Sequence, residues 1–473
     1  MSLPRIPERL AITGRIESWL NDPTSRLPVS CTVVAPEDSM EGPNGIEDSW
    51  LFTSKALRNA AGVAVHLSKL RAKGTTNKHG LVSSGPVSFA QLYSKLNEVL
   101  RRGGAYKNGA VTLHLDYDHA DSLEFIQADR ASLPWAKRAL NVDEKFMGYP
   151  HMDAVIAAMK RGDLWLVKKS YDKSNNRILH NVCLEVLLPE RGTCLLAHVN
   201  LGQCNASNLV AAFTEGMKFL CELHSQTGVG ESGIYLSPEQ DKQVGLGVIG
   251  LANMLANEGI KYAEFVEALE AVLDGTTINS KAFELATAFK EAYQWSSKVA
   301  EQYGMVRAFA IAPTASCSYR YKDVNGFTTT PEIAPPISRQ VDRDSATFGV
   351  SSYDYPANVE IAEEVGWDVF FRLNCCFQRL QNIAGLGHAI STNWWSDMVV
   401  CDEAFIERWL KSPLRSFYYS LQVMEGIQDK SQLLGDGEVD LSVLGLGDNF
   451  FPSVDEEMPS IGDLNIPCVG CAE

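Results

Sequence analysis

An α/β architecture is predicted for this chain on two observations. Apolar strand-like runs alternate with amphipathic helical stretches as far as about Leu434, and the composition shifts from Gly435 onward, which bounds the folded part. With 473 residues and 45% hydrophobic content the chain can bury a sizeable core. Residues 1–434 read as one domain.

Strands are expected at Val29 to Val34, Val111 to Leu115, Val182 to Leu188, Val306 to Ala312 and Ser416 to Val423, each short and apolar. Helices are expected around Trp50 to Ala60, Ser88 to Arg101 and Phe265 to Leu273, where apolar residues recur at helical spacing. No internal repeat is present. Residues 435–473 are rich in Gly, Asp, Glu, Ser and Pro and read as a flexible tail.

The segment Gly245-Leu246-Gly247-Val248-Ile249-Gly250 matches a dinucleotide-binding pattern in letters only. That fingerprint needs a strand immediately before it. The preceding Ser237 to Gln243 is polar and turn-like, so the glycines are read as packing positions in a buried helix running on to Leu255.

Composition narrows the function. No apolar run approaches the roughly 18 residues of a membrane span. A net charge of -16 disfavours a polynucleotide partner, while backbone amides could still bind small phosphorylated ligands. Eleven cysteines without a secretory leader after Met1 point to the reducing cytoplasm, where thiols serve chemistry rather than cross-linking.

The most informative stretch is Asn181-Val182-Cys183-Leu184-Glu185. As a strand it would aim an amide, a thiol and a carboxyl to one side. Cys183 is then either a small buried hydrophobe or a reaction centre flanked by a general base and a hydrogen-bonding amide. Cys194 follows after a turn, Cys31 lies far upstream, and either could supply a second thiol. Cys468-x-x-Cys471 suits thiol exchange from a mobile arm. Zinc is the competing explanation, but no second ligand pair accompanies it. Cys204, Cys221, Cys375, Cys376 and Cys401 read as core.

Together these segments resemble the catalytic subunit of ribonucleotide reductase, in order along nearly the whole chain. Asn181-x-Cys183-x-Glu185 is similar to the family's thiyl-radical segment, Cys31 and Cys194 fall where its reducing pair falls, and Cys468 and Cys471 match its tail dithiol. Pro313 to Ser318 resembles its substrate-phosphate loop.

The resemblance implies a ten-stranded α/β barrel of the ribonucleotide reductase and glycyl radical enzyme type, with the radical cysteine on a finger inside. It implies that Ser30, Ala61, Gly62, Thr314, Ala315, Ser316, Cys317 and Ser318 bind substrate. Asp48, Ser49 and Arg71 would bind a dNTP or ATP specificity effector. Tyr418-Tyr419 resembles the tyrosine dyad of class I members. That implies a ferritin-like small subunit with a dimetal centre as radical source, and no metal in this chain. The alternative is a class II enzyme using adenosylcobalamin.

Ribonucleoside diphosphate substrates, a thioredoxin- or glutaredoxin-like reductant and a homodimer are further expectations. The short stretch before Cys31 leaves no room for the family's N-terminal ATP cone. A catalytically silent nucleotide-binding barrel is the non-enzymatic reading, which the presence of all five expected cysteines and Glu185 disfavours.

Overall fold

Alternating strands and helices assemble into two parallel sheets around one buried segment. A computed structural model describes residues 3–24, 27–103, 110–129, 131–345, 349–392, 394 and 401–417. The strands are β1 (Leu10–Ile12), β2 (Cys31–Val34), β3 (Gly62–His66), β4 (Val111–Asp116), β5 (Lys137–Val142), β6 (Leu164–Lys168), β7 (Ser170–Tyr171) and β8 (Arg177–His180). They continue as β9 (Leu187–Leu188), β10 (Leu196–Asn200), β11 (Gln243–Ile249), β12 (Arg307–Ile311), β13 (Gln340–Ser345), β14 (Gly349–Asp354), β15 (Gly387–Ile390) and β16 (Ser416–Phe417).

One half of the barrel is the parallel run β2 to β6. The other is β1-β10-β11-β12-β15, parallel except for β1. These ten strands are joined at both edges. The Cys194 N–H donates to the Cys31 carbonyl at 3.1 Å, tying the approach to β10 onto β2. On the far side β16 pairs antiparallel with β6, and its Ser416 hydroxyl donates to the Ile390 carbonyl of β15 at 3.0 Å.

The two faces of the second half differ because strand side chains alternate. Leu246, Val248 and Phe309 are buried and large, and Phe309 packs on Tyr293 of the helix Lys281–Gln302 with ring centroids 4.9 Å apart. The opposite, inward face carries Gly245, Gly247 and Ala310, which leaves room inside the barrel. A Cβ at Gly247 would sit 2.5 Å from the Ala310 carbonyl oxygen and 2.9 Å from His198 Nδ1.

Two sequence expectations fail here. Residues 243–249 form β11, and the helix begins only at Leu251 after a left-handed Gly250. The glycines therefore relieve crowding between strands, not within a helix. Residues 182–186 are not strand either: β8 ends at His180, and only Leu187 and Leu188 pair. An apolar run is compatible with either outcome, because a loop buried on all sides needs apolar residues as much as a strand does.

Strands β2, β4 and β12 and the helices Ile46–Arg58, Pro86–Gly103 and Tyr262–Asp274 match their predicted positions within a few residues. Of the segment 416–423, Ser416 and Phe417 are strand and the rest lies outside the described residues, as do Tyr418, Tyr419 and the whole of 435–473. Among the described residues no helix is long and apolar enough to cross a membrane.

Gly247→Ala should lower stability by about 1–3 kcal/mol through overpacking. Gly148→Ala, where an added Cβ meets nothing within 4 Å, should stay within about 0.5 kcal/mol of the parent. Urea midpoints of the two variants check both.

Candidate active site

Between β8 and β9 the chain doubles back as a finger inside the barrel. The turn closes through Leu184 N–H donating to the Asn181 carbonyl at 3.2 Å, with Leu184 at φ 71°. A leucine in the left-handed region costs about 1–2 kcal/mol, so the surroundings must hold it. Both barrel halves do so. Thr112 on β4 donates its hydroxyl to the Val182 carbonyl at 2.9 Å, and His66 Nε2 on β3 lies 2.9 Å from the His180 carbonyl. From the other half, Ala389 N–H donates to the Glu185 carbonyl at 2.8 Å. Leu187 N–H donates to His388 Nδ1 at 3.0 Å, which leaves Nε2 protonated toward the Val244 carbonyl.

Within the finger, Asn181 does three things. Its side-chain amide donates to Glu185 Oε1 at 2.9 Å, its side-chain carbonyl accepts from Val186 N–H at 3.0 Å, and its own N–H donates to the Val186 carbonyl. Cys183 sits at the turn between them and is 3% exposed. Asn181 and Glu185 thus meet through a turn and not through strand alternation.

Glu185 is fully buried and its Oε2 has no hydrogen-bond partner among the described residues. Burial pushes the carboxyl up to about 8, neighbouring Cys31 adds to the shift, and the Asn181 amide opposes it. Cys31 is the first residue of β2, and Cys194 lies opposite, its Sγ 3.6 Å from the Cys31 carbonyl. Burial and the Cys31 thiol both push the Cys194 thiol upward. The structure therefore brings Asn181, Cys183, Glu185, Cys31 and Cys194 into one buried cluster.

The remaining expected residues are placed as follows. Ser30 precedes β2, and its carbonyl accepts from Gly62 N–H, with Ala61 adjacent, so these three line the end of β2 and β3 beside Cys31. Ala315, Ser316, Cys317 and Ser318 form a short helix after β12. Thr314 is already engaged: its N–H and hydroxyl both donate to Glu332 Oε2, at 3.1 and 2.8 Å. Asp48 pairs with Arg191 at 2.5 Å, Ser49 shares a hydrogen bond with Tyr93, and Arg71 pairs with Asp38 at 2.8 Å. These effector candidates lie on other elements than the finger.

Sequence reasoning missed His66, Thr112 and His388. Each sits in an apolar strand run, and each partner is 70 to 201 residues away in sequence, so no local pattern marks it.

The sequence profile of the family described as "Ribonucleotide reductase, barrel domain" matches residues 29–178 and 167–315. The chain belongs to this ribonucleotide reductase barrel family. A curated relative, the "Vitamin B12-dependent ribonucleoside-diphosphate reductase" of Mycobacterium tuberculosis, is 24% identical over 325 residues, 60% of this chain and 45% of the relative. A protein of the same name from Thermoplasma acidophilum is 22% identical over 326 residues, 59% of this chain and 40% of the relative. The chain thus covers less than half of these ribonucleotide reductases. In fold it is similar to the Actinobacillus ureae class Id ribonucleotide reductase alpha subunit, with a TM-score of 0.61, 15% identity and 87% of each chain covered.

One expectation is corrected. A dimetal centre in a ferritin-like partner was inferred from Tyr418-Tyr419, but the curated ribonucleotide reductases are named for dependence on vitamin B12. An adjacent tyrosine pair is common in apolar segments, which is why it misled.

The Glu185 carboxyl has a pH signature in stability. Its value is about 8 in the fold against 4.5 in the unfolded chain, so the native state keeps a proton that the unfolded state has lost. Stability from this group is full below pH 4.5 and falls as pH rises to about 8. Glu185→Gln should flatten that decline by up to about 1.4 kcal/mol per pH unit. Urea titrations of both proteins between pH 5 and 8 check it, and parallel slopes would contradict it.

Proposed function

We propose that the chain reduces ribonucleotides to deoxyribonucleotides through a sulfur radical at Cys183, with ribonucleoside diphosphates as substrates. The observation that carries this reading is the finger-tip thiol flanked by a hydrogen-bonded Asn181–Glu185 pair and backed by two further thiols, inside a barrel of this family.

The names of the curated relatives support vitamin B12, as adenosylcobalamin, as the source of the oxidising equivalent. When bound it would supply a one-electron oxidant for a thiol. The Cys183 thiol, at the turn of the finger, would be the group it oxidises.

Sulfur-hydrogen and ribose carbon-hydrogen bonds are close in strength, so a Cys183 radical can take the 3′ hydrogen and later return it. Glu185 would accept the 3′-hydroxyl proton and Asn181 would hold carboxylate and sugar in register. The 2′-hydroxyl leaves as water. Cys31 and Cys194 provide two electrons and both thiol hydrogens, one ending in the water and one at C2′, and close to a disulfide.

Ala61, Gly62, Ser30 and the 314–318 turn would contact the nucleotide, with Thr314 first exchanging its bonds to Glu332. Asp48, Ser49 and Arg71 remain the proposed effector contacts, and a dithiol protein the proposed reductant.

The test is cytidine diphosphate reduction with added adenosylcobalamin and a dithiol. Cys183→Ala should abolish product; product at the normal rate would refute the reading. Because the resting carboxyl is mostly protonated at pH 7, kcat/KM should rise with pH through about 8. Glu185→Gln should lose about 100-fold or more and the inflection with it.

A further inference from the structure

The space behind Cys194, away from the finger, is a small polar cavity. Its wall includes Thr193, Cys194, His224, Thr227 and Asp241, and its volume of about 10 Å3 is that of one water, which needs two to four polar partners. A thiol, a hydroxyl, an imidazole and a carboxyl supply them.

Asp241 is the outlier in that wall. Its side chain is 2% exposed, far from any role in the surface charge of the protein. Oδ2 accepts from Thr193 N–H at 2.7 Å, one residue before Cys194, and Oδ1 accepts from the Gln243 amide. The carboxyl is thus fixed next to the backbone that carries the thiol, by bonds to a loop and to β11. The nearby charged groups are Arg307 on β12, Lys242 and Glu239 on its own segment, and His224 at the end of the helix Leu209–His224. The His224 ring is held by the Asp241 backbone, and burial keeps it neutral.

Resting on the reading of Cys31 and Cys194 as a redox pair, we propose that Asp241, through one water in this cavity, donates the proton to the Cys194 sulfur when the disulfide is reopened. An incoming thiolate from a dithiol attacks the Cys31 sulfur, the sulfur–sulfur bond breaks, and its electron pair leaves on Cys194. The water gives that sulfur a proton and takes one from the Asp241 carboxyl. A second thiolate of the reductant then releases Cys31. Glu185 couples to both sulfurs from the finger side, whereas Asp241 reaches Cys194 only through the cavity.

Two electrostatic facts fit the assignment. Burial pushes the Asp241 carboxyl up to about 6, so it holds a transferable proton below about pH 6, where an ordinary carboxyl has already lost its own. Burial also pushes the Cys194 thiol well upward, which makes an unprotonated sulfur there a poor leaving group.

The test uses the full chain, oxidised and then reduced with dithiothreitol between pH 5 and 8.5. Acid quenching, alkylation and peptide masses follow Cys31 and Cys194, and rates are divided by the dithiothreitol thiolate concentration. The wild-type rate per thiolate should fall as pH rises through about 6. Asp241→Asn, which keeps an acceptor for Thr193 N–H, should be about tenfold slower at pH 5.5 and flat with pH, and Asp241→Glu should regain part of the rate.

An Asp241→Asn protein as fast as wild type overturns the relay. Should that variant not fold, a wild-type profile without an inflection between pH 5 and 7 overturns it equally. Failure to form a Cys31–Cys194 disulfide removes both this proposal and the redox-pair reading. A normal relay in a chain that reduces no nucleotide removes the nucleotide reading alone.

Discussion

A loop carrying a thiol, an amide and a carboxyl has to be held in the middle of a barrel, with most of its buried polar groups hydrogen-bonded. The hydrogen bond from Asn181 to Glu185 is the centre of that solution, because it satisfies one carboxyl oxygen while the rest of the Asn181 side chain closes the turn. Leaving such groups unpaired would cost about 1–3 kcal/mol each. The bonds from Thr112, His66, His388 and Ala389 serve the same end from the two barrel halves. Small inward residues on β11 and β12 make the space, and larger outward ones pack the helices.

Burial sets the chemistry of the site as well as its shape. A fully buried carboxyl stays protonated until unusually high pH, because desolvation penalises its charged form. The same desolvation holds the surrounding histidines neutral: His66 and His180 are lowered to about 3 and about 4, and His66 stacks on His114 with centroids 4.0 Å apart. Two cationic rings could not stack so in this interior, so these histidines act as neutral hydrogen-bonding groups. The finger is thus held by uncharged imidazoles, with the cationic Arg177 and Arg415 near enough to lower the histidines further.

The comparisons and the geometry agree on the barrel, and only the relatives' names bear on the oxidant. A fold shared at 15% identity with a class Id alpha subunit fixes the scaffold alone. The vitamin B12-dependent relatives are nearer in sequence, and their names moved the expected radical source away from a metal-bearing subunit. The tyrosine pair that prompted the first expectation lies outside the described residues, whereas the thiol cluster does not depend on where the oxidising equivalent comes from.

The alternation of elements, the cysteines and the Asn181-x-Cys183-x-Glu185 spacing were legible in the chain because they are local: each depends on residues within one or two turns of one another. The conformation of 182–186 was not, since an apolar run reports burial without saying whether the neighbours are ladder strands or barrel walls. Nor was the strand at 243–249, where glycine density mimicked helix packing until β10 and β12 were placed on either side. The proton affinities of Glu185 and Asp241, and the roles of Thr112, His66 and His388, exist only once segments up to 201 residues apart exclude water together. Residue order supplied the reacting groups; the closed barrel decided which way they face and what charge they carry, because desolvation and long-range hydrogen bonds are properties of the packed chain.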